Sequence, residues 1–227
     1  METQYALCRK VLKRLDEAGV LSGLIIIGSW CRYFYQGYFT GVGYGPSIRT
    51  RDIDFLITPK IGSKRAVDVA ALMEDFGFLV DFHRQGYMRL VHPELIIEFL
   101  VPERGRGSEG PVRVPQLGVQ AQALRFLNLL TEQTISVTVD HITVRLPHPA
   151  AFALHKLLIA QRRTGKQAKE RAEAYEVLQA LAAKGESSVV RSLYRSLPAR
   201  WQKRIRESLR SSPELQQIVL PNIHEKS

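Results

Sequence analysis

The sequence predicts an α/β (α+β) protein: a small mixed β-sheet flanked by helices over residues 1–148, then a helical C-terminal domain over residues 149–227. Three observations carry this. Up to Pro147, short β-branched runs bounded by turn residues alternate with stretches of helical spacing. After Pro149 the apolar period is helical and stays so. The charge changes at the same place: between Lys156 and Arg210 there are fourteen Lys and Arg against five Glu, in a chain of formal net charge +10.

The elements follow in order. Leu7, Val11, Leu12 and Leu15 share one face of a helix over about residues 3–18, which Gly19 ends. "LIIIGS" (24–29) is a short buried strand closed by Gly-Ser, and "WCRYFYQGYF" after it has helical spacing. "TGVGYGPS" (40–47) is a glycine-rich loop, "RDIDFLIT" a strand, and "SKRAVDVAALMEDFGF" a helix stopped by Gly77. "FLVDFH", "YMRLVH" and "LIIEFLV" are strands separated by "RQG" and "PE" turns. The polar stretch 102–115 reads as a loop or insertion. "ISVTVDHITVRL" alternates strictly and predicts a hairpin turning at Asp140-His141. Helices are expected over 150–163, 166–184, 187–196 and 198–209, with a short helix and a tail from Pro213.

A chain of 227 residues can hold one large domain or two small ones. No apolar run is long enough to span a bilayer, and the N-terminus has no basic-then-apolar signal, so no membrane association is expected. Two cysteines, Cys8 and Cys31, lie outside any metal-like spacing and fit a reducing, cytoplasmic setting. The basic balance suggests polyanionic partners: nucleic acid, nucleotides or anionic lipid. None of the six histidines forms a zinc-type spacing.

"TRDIDFLI" places Asp52 and Asp54 in an otherwise apolar strand. Side chains in a strand alternate, so both acids share a face and repel unless a cation lies between them. Mg²⁺ suits such a pair, being oxygen-seeking and commonly held by one or two carboxylates plus substrate phosphates. The open alternative is a salt-bridge patch with the flanking Arg49 and Arg51. Glu98, the acid in "IIEFL", is a candidate third ligand of a site holding two ions about 3.5–4 Å apart; its other reading is an edge-strand charge facing water. Gly28-Ser29, between strand and helix, offers backbone N–H groups to a phosphate or serves as a plain tight turn with Ser29 as N-cap.

Together, "IIIGSW", "RDIDFLI" and "IIEFL" resemble the DNA polymerase β-type nucleotidyltransferase superfamily, in particular small bacterial nucleotidyltransferase-like proteins of the abortive-infection toxin type. "FALHKLLIAQRR" and "KERAEAYEVL" sit where such proteins carry a Lys-rich helix and a K-D-x-x-D-like segment, with Glu170 and Glu173 in place of both Asp. The resemblance implies nucleotidyltransferase topology and transfer of a nucleoside monophosphate from an NTP to a hydroxyl on RNA, protein or a small molecule. It implies that Asp52, Asp54 and Glu98 bind two Mg²⁺ (or Mn²⁺) and act in catalysis. It places Gly28, Ser29, Arg51 and Lys156 at the nucleotide, and it suggests an antitoxin-like partner. The stretch from Ser29 to Asp52 is longer than the family's; the surplus glycine-rich loop reads as a lid or an ornamental insertion.

Two other readings stand beside this one. A non-catalytic member of the fold would bind nucleic acid or a protein partner, but gains nothing from three clustered carboxylates. A plain DNA-binding protein would use the basic stretch around Trp201, whose spacing with Ile205 and Leu209 also fits simple packing.

Overall fold

The alternating and helical periods of the sequence become strands and helices in a computed structural model that describes residues 2–46, 50–58, 61, 66–103, 110–162 and 165–220. The chain divides into two compact units: Met1–Cys31 with Ser47–Pro147, and Arg32–Pro46 with His148–Ser227. Among the described residues no helix is long and apolar enough to cross a membrane.

In the first unit, α1 (Glu2–Glu17) buries Cys8, Val11, Leu12 and Leu15. The strands are β1 (Leu24–Ile27), β2 (Asp52–Ile57), β3 (Leu79–Phe82), β4 (Met88–Val91) and β5 (Ile96–Pro102), hydrogen-bonded in the order β1-β2-β5-β4-β3. β2 runs parallel to β5 and the other three pairings are antiparallel, so the sheet is mixed, as the sequence predicts. Ile53, Phe55, Ile97 and Phe99 are almost wholly buried on one face, where the Phe55 and Phe99 rings stack at 5.9 Å. That packing forces the alternate residues, Asp54 and Glu98, to the opposite face.

The predicted loop over 102–115 is partly a strand. Within it β6 (Val112–Val114) pairs with β7 (Val119–Leu124), which runs parallel to the end of β5. Residues 104–109 of that stretch lie outside the described residues. The helix expected before Gly77 is short. Only α3 (Val69–Met73), capped by Asp68, is helical there before a tight turn over Glu74–Phe76, and 62–65 are outside the described residues. A short helix, α4 (Asn128–Glu132), precedes the hairpin of β8 (Thr134–Val139) and β9 (Ile142–Pro147). Asp140 and His141 take φ of 48° and 68°, the two positive values a two-residue turn of this hand requires.

The helix after Gly28-Ser29 is α2 (Trp30–Phe34), with Trp30 and Cys31 in the first unit and the rest in the second. The second unit is otherwise helical: α5 (Pro149–Ala160), α6 (Gln167–Ala183), α7 (Ser187–Ser196), α8 (Ala199–Ser208) and α9 (Pro213–Val219). α5 is buried along nearly its whole length and packs on α6, α7 and α8. Tyr35 meets Phe152 edge-on at 5.6 Å, and Phe39 meets Tyr44 at 4.7 Å, which seats the start of the glycine-rich loop. Ser47 and Arg49 are outside the described residues. Ile205 and Leu209 are fully buried, as their spacing with Trp201 predicts.

Candidate active site

The site grows from strand register. Ile27 of β1 is opposite Asp54 of β2, Asp54 is opposite Glu98 of β5, Glu98 is opposite Arg89 of β4, and Arg89 is opposite Asp81 of β3. Register partners point to the same face. Four ionisable residues therefore cross the sheet in one row, on the face opposite the stacked phenylalanines. Asp52 lies on the same face, two residues before Asp54, and is exposed, while Asp54 and Glu98 are half-buried.

The Gly-Ser corner closes onto this row. Gly28 has φ of +73°, and a methyl group there would collide with the Asp54 carboxylate. The left-handed backbone favours glycine, and a Cβ there would oblige the Asp54 carboxylate to shift. Cys31 donates its N–H to the Gly28 carbonyl at 3.3 Å, and its thiol donates to the Ile26 carbonyl at 3.0 Å, which fixes the turn leaving β1.

At the rim, Thr50 Oγ1 accepts the Asp52 N–H at 3.2 Å, and Gln4 donates to the Thr50 carbonyl at 2.6 Å. The Arg51 guanidinium donates to the Pro93 carbonyl at 2.5 Å, while the Arg51 carbonyl accepts the Ile96 N–H at 2.9 Å. Arg51 thereby holds the entrances of β2 and β5 together.

Register also brings in residues the sequence reading did not single out. Arg89 stands between two acids: its Nε donates to Asp81 at 3.1 Å, and that bond, helped by the charges of Asp81 and Glu98, holds the guanidinium pKa above its ordinary value. Tyr87, two residues before Arg89, has its phenol pushed up, first by burial and then by the charges of Glu98 and Asp54. The phenol therefore sits in the field of both carboxylates.

Lys156 is placed in the second unit. It is 6% exposed, and its Nζ lies 2.6 Å from both Glu170 and Glu173, which are buried too. Arg32 joins the same cluster, pairing Glu173 at 3.5 Å and also Glu176. Burial lowers the Lys156 pKa, but the two glutamates outweigh it and the net shift is upward, so the ammonium is retained. The segment that matched the K-D-x-x-D pattern is, in this unit, the acidic half of a buried ion cluster.

Among the described residues no group of three or more His, Cys, Asp or Glu forms a complete metal-binding set. The donor chemistry still fits a hard divalent cation. Asp52 and Asp54 offer carboxylate oxygens on one face, and Gly28 leaves the Asp54 carboxylate the space a Cβ would fill. Mg²⁺ keeps several waters and takes substrate phosphates, so it needs only one or two carboxylates from a protein.

Together the fold and this row define a class: a mixed-sheet α/β unit with an acidic face at a glycine corner, followed by helices. The family follows from the sequence match. Residues 7–197 fit a family model described as Nucleotidyltransferase, and the chain belongs to that family. A nucleotidyltransferase-like antigenic protein from Paracoccidioides brasiliensis shares the fold at a TM-score of 0.50 and 13% identity, over 92% of this chain and 88% of that one. The antibiotic-resistance factor ANT(2'')-Ia, solved in complex with adenylyl-2''-tobramycin, has a TM-score of 0.48 at 17% identity, over 85% of this chain and 99% of that one. No curated protein matches the sequence.

Proposed function

We propose that this nucleotidyltransferase is of the DNA polymerase β type and moves a nucleoside monophosphate from an NTP to an acceptor hydroxyl, releasing pyrophosphate. One observation carries the reading: the Gly28 corner is packed against the carboxylate of Asp54, which is itself in register with Glu98. A corner with backbone N–H groups beside an acid pair suits a triphosphate held together with a divalent cation.

Asp52 and Asp54 would hold Mg²⁺, or Mn²⁺ in its place, with Glu98 completing the set. The ion would offset negative charge on the triphosphate as the phosphoryl group transfers. The remaining work falls to the chain's own residues. Gly28 and Ser29 orient the phosphates through the corner's backbone. Arg51, exposed beside Asp52, adds positive charge at the rim. Glu98 accepts the proton of the acceptor hydroxyl as its oxygen bonds to the α-phosphorus. The bond from the α-phosphorus to the bridging oxygen breaks, and pyrophosphate leaves with the electron pair. Lys156, with its ammonium between Glu170 and Glu173, keeps a structural role.

Equilibrium titration with each of the four common NTPs tests this. Binding is expected only with Mg²⁺ or Mn²⁺ present, and Asp54→Asn should weaken it by about tenfold or more. Binding that is equally tight in EDTA would count against the proposal.

A further inference from the structure

Past Glu98, β5 and its neighbour β7 lead toward a cavity whose described lining includes Gln122, Ala123 and Leu124 of β7. Leu100 follows Glu98 on the same face, about 7 Å further along β5 at the usual rise per residue. Leu100 is in register with Gln122 of β7, and Gln122 and Leu124 share that face. Gln122, Leu124, Tyr87, Gln85 and Pro111 line this cavity of about 480 Å³, the size of site that takes a small organic ligand.

The lining is built. His83 stacks on the Tyr87 ring at 4.4 Å and 18°, and its N–H donates to the Tyr87 carbonyl at 2.9 Å, so the ring is held in place. Gly86, at φ +85°, turns β3 into β4 close enough to Pro111 that a Cβ would lie 3.4 Å from its ring. Tyr87 joins cavity and acid row: it stands two residues before Arg89, which is in register with Glu98.

The chemistry of the wall is specific. Among the described residues that line it, none is Lys, Arg, Asp or Glu. Among these described lining residues a polycation meets no carboxylate and a nucleic-acid backbone no basic side chain. Two primary amides, each able to donate and accept, match hydroxyl groups, which also do both. The Tyr87 ring with Leu124 and Pro111 gives a flat and apolar surface for a ring to lie on.

The geometry points to this cavity as the acceptor pocket, taking a neutral ring compound that carries hydroxyl groups, either a sugar or a nucleoside, with one hydroxyl directed toward Glu98. The inference rests on the proposed function, because it names the acceptor of that reaction. In the step, the acceptor's oxygen gains the nucleotidyl group, its proton passes to Glu98, and pyrophosphate departs from the NTP.

The test supplies α-phosphate-radiolabelled NTPs and Mg²⁺ with separate acceptors: glucose, galactose, myo-inositol, adenosine, uridine, tobramycin and total RNA. Label is expected in one or more of the five neutral compounds, and which of them distinguishes sugar from nucleoside. Gln122→Leu and, separately, Gln85→Ala should raise the KM for that compound about tenfold, while the Kd for the donor NTP is unchanged. Both residues lie at or near the surface, so either variant suffices if the other folds poorly. Label entering only tobramycin or RNA overturns the pocket assignment, as does an acceptor KM indifferent to both substitutions. No label in any neutral compound, with Mg²⁺-dependent NTP binding intact, overturns it while leaving the donor site standing. Loss of NTP binding in the unaltered protein defeats the proposed function itself, and the pocket falls with it.

Discussion

Carboxylates occur in two quite different settings in this protein. In the second unit, Glu170 and Glu173 are buried and each lies 2.6 Å from the Lys156 ammonium, with Arg32 closing the cluster. In the first unit, Asp52 is exposed and bonded to the neutral Thr50, and Asp54 lies against the backbone of Gly28. The first arrangement is complete within the chain: removing a charge leaves its partner desolvated and unanswered. The second belongs to a partly exposed row that crosses the sheet through Asp54, Glu98, Arg89 and Asp81.

The largest effect expected from this contrast is on stability. Lys156→Met should cost about 3–5 kcal/mol in urea unfolding, since it removes the buried ammonium that lies 2.6 Å from both Glu170 and Glu173. In the fraction that remains folded, the Kd for NTP should be unchanged. A stable variant with weakened NTP binding would return Lys156 to the nucleotide.

Asp54→Asn should do the reverse. Nucleotidyl transfer should fall by about 10²–10³-fold, as for loss of one pre-organised electrostatic group, with little change in melting temperature. A variant that melts far below the parent protein would make Asp54 a structural acid like Glu173.

Gly28→Ala lies between these. A left-handed residue with a Cβ costs about 1–2 kcal/mol, and the methyl group also displaces the Asp54 carboxylate. Both stability and transfer should drop; a loss of stability alone would separate the corner from the site.

The smallest effect concerns pH. His148 caps α5 by accepting the Ala150 N–H on Nδ1 at 3.2 Å, so its Nε2 carries the proton toward Tyr38, whose hydroxyl donates to Glu186 at 2.7 Å. Burial lowers the His148 pKa below the free value of about 6.5. The neutral ring is favoured by folding, so its contribution is complete above pH ~6.5 and is lost as pH falls below that value. Thermal melts from pH 8 to pH 5 should show a decline that His148→Asn, which keeps a capping acceptor, reduces.

Much of this contrast could be read from the chain. Period-2 geometry puts Asp52 and Asp54 on one face of an apolar strand, and Gly28-Ser29 ends a strand; that Glu98 shares their face follows only from the pairing of β2 with β5. Arg89 and Tyr87 were not legible as site residues, because their relation to Glu98 exists only in the pairing of β4 with β5, which no local pattern encodes. The partnership of Arg32 with Glu173 spans 141 residues and is hidden for the same reason. β7 is not legible either, although "VQAQAL" alternates, because Gln and Ala are weak strand formers.

The most direct measurement is transfer of radiolabelled nucleoside monophosphate by the unaltered protein, by Asp52→Asn with Asp54→Asn, and by Lys156→Met assayed where it is folded. The expected result is Mg²⁺-dependent labelling that the double aspartate substitution abolishes and Lys156→Met leaves intact per folded molecule. Labelling that survives loss of both aspartates, or that disappears with Lys156 alone, would contradict the placement of the chemistry on the partly exposed row of the first unit.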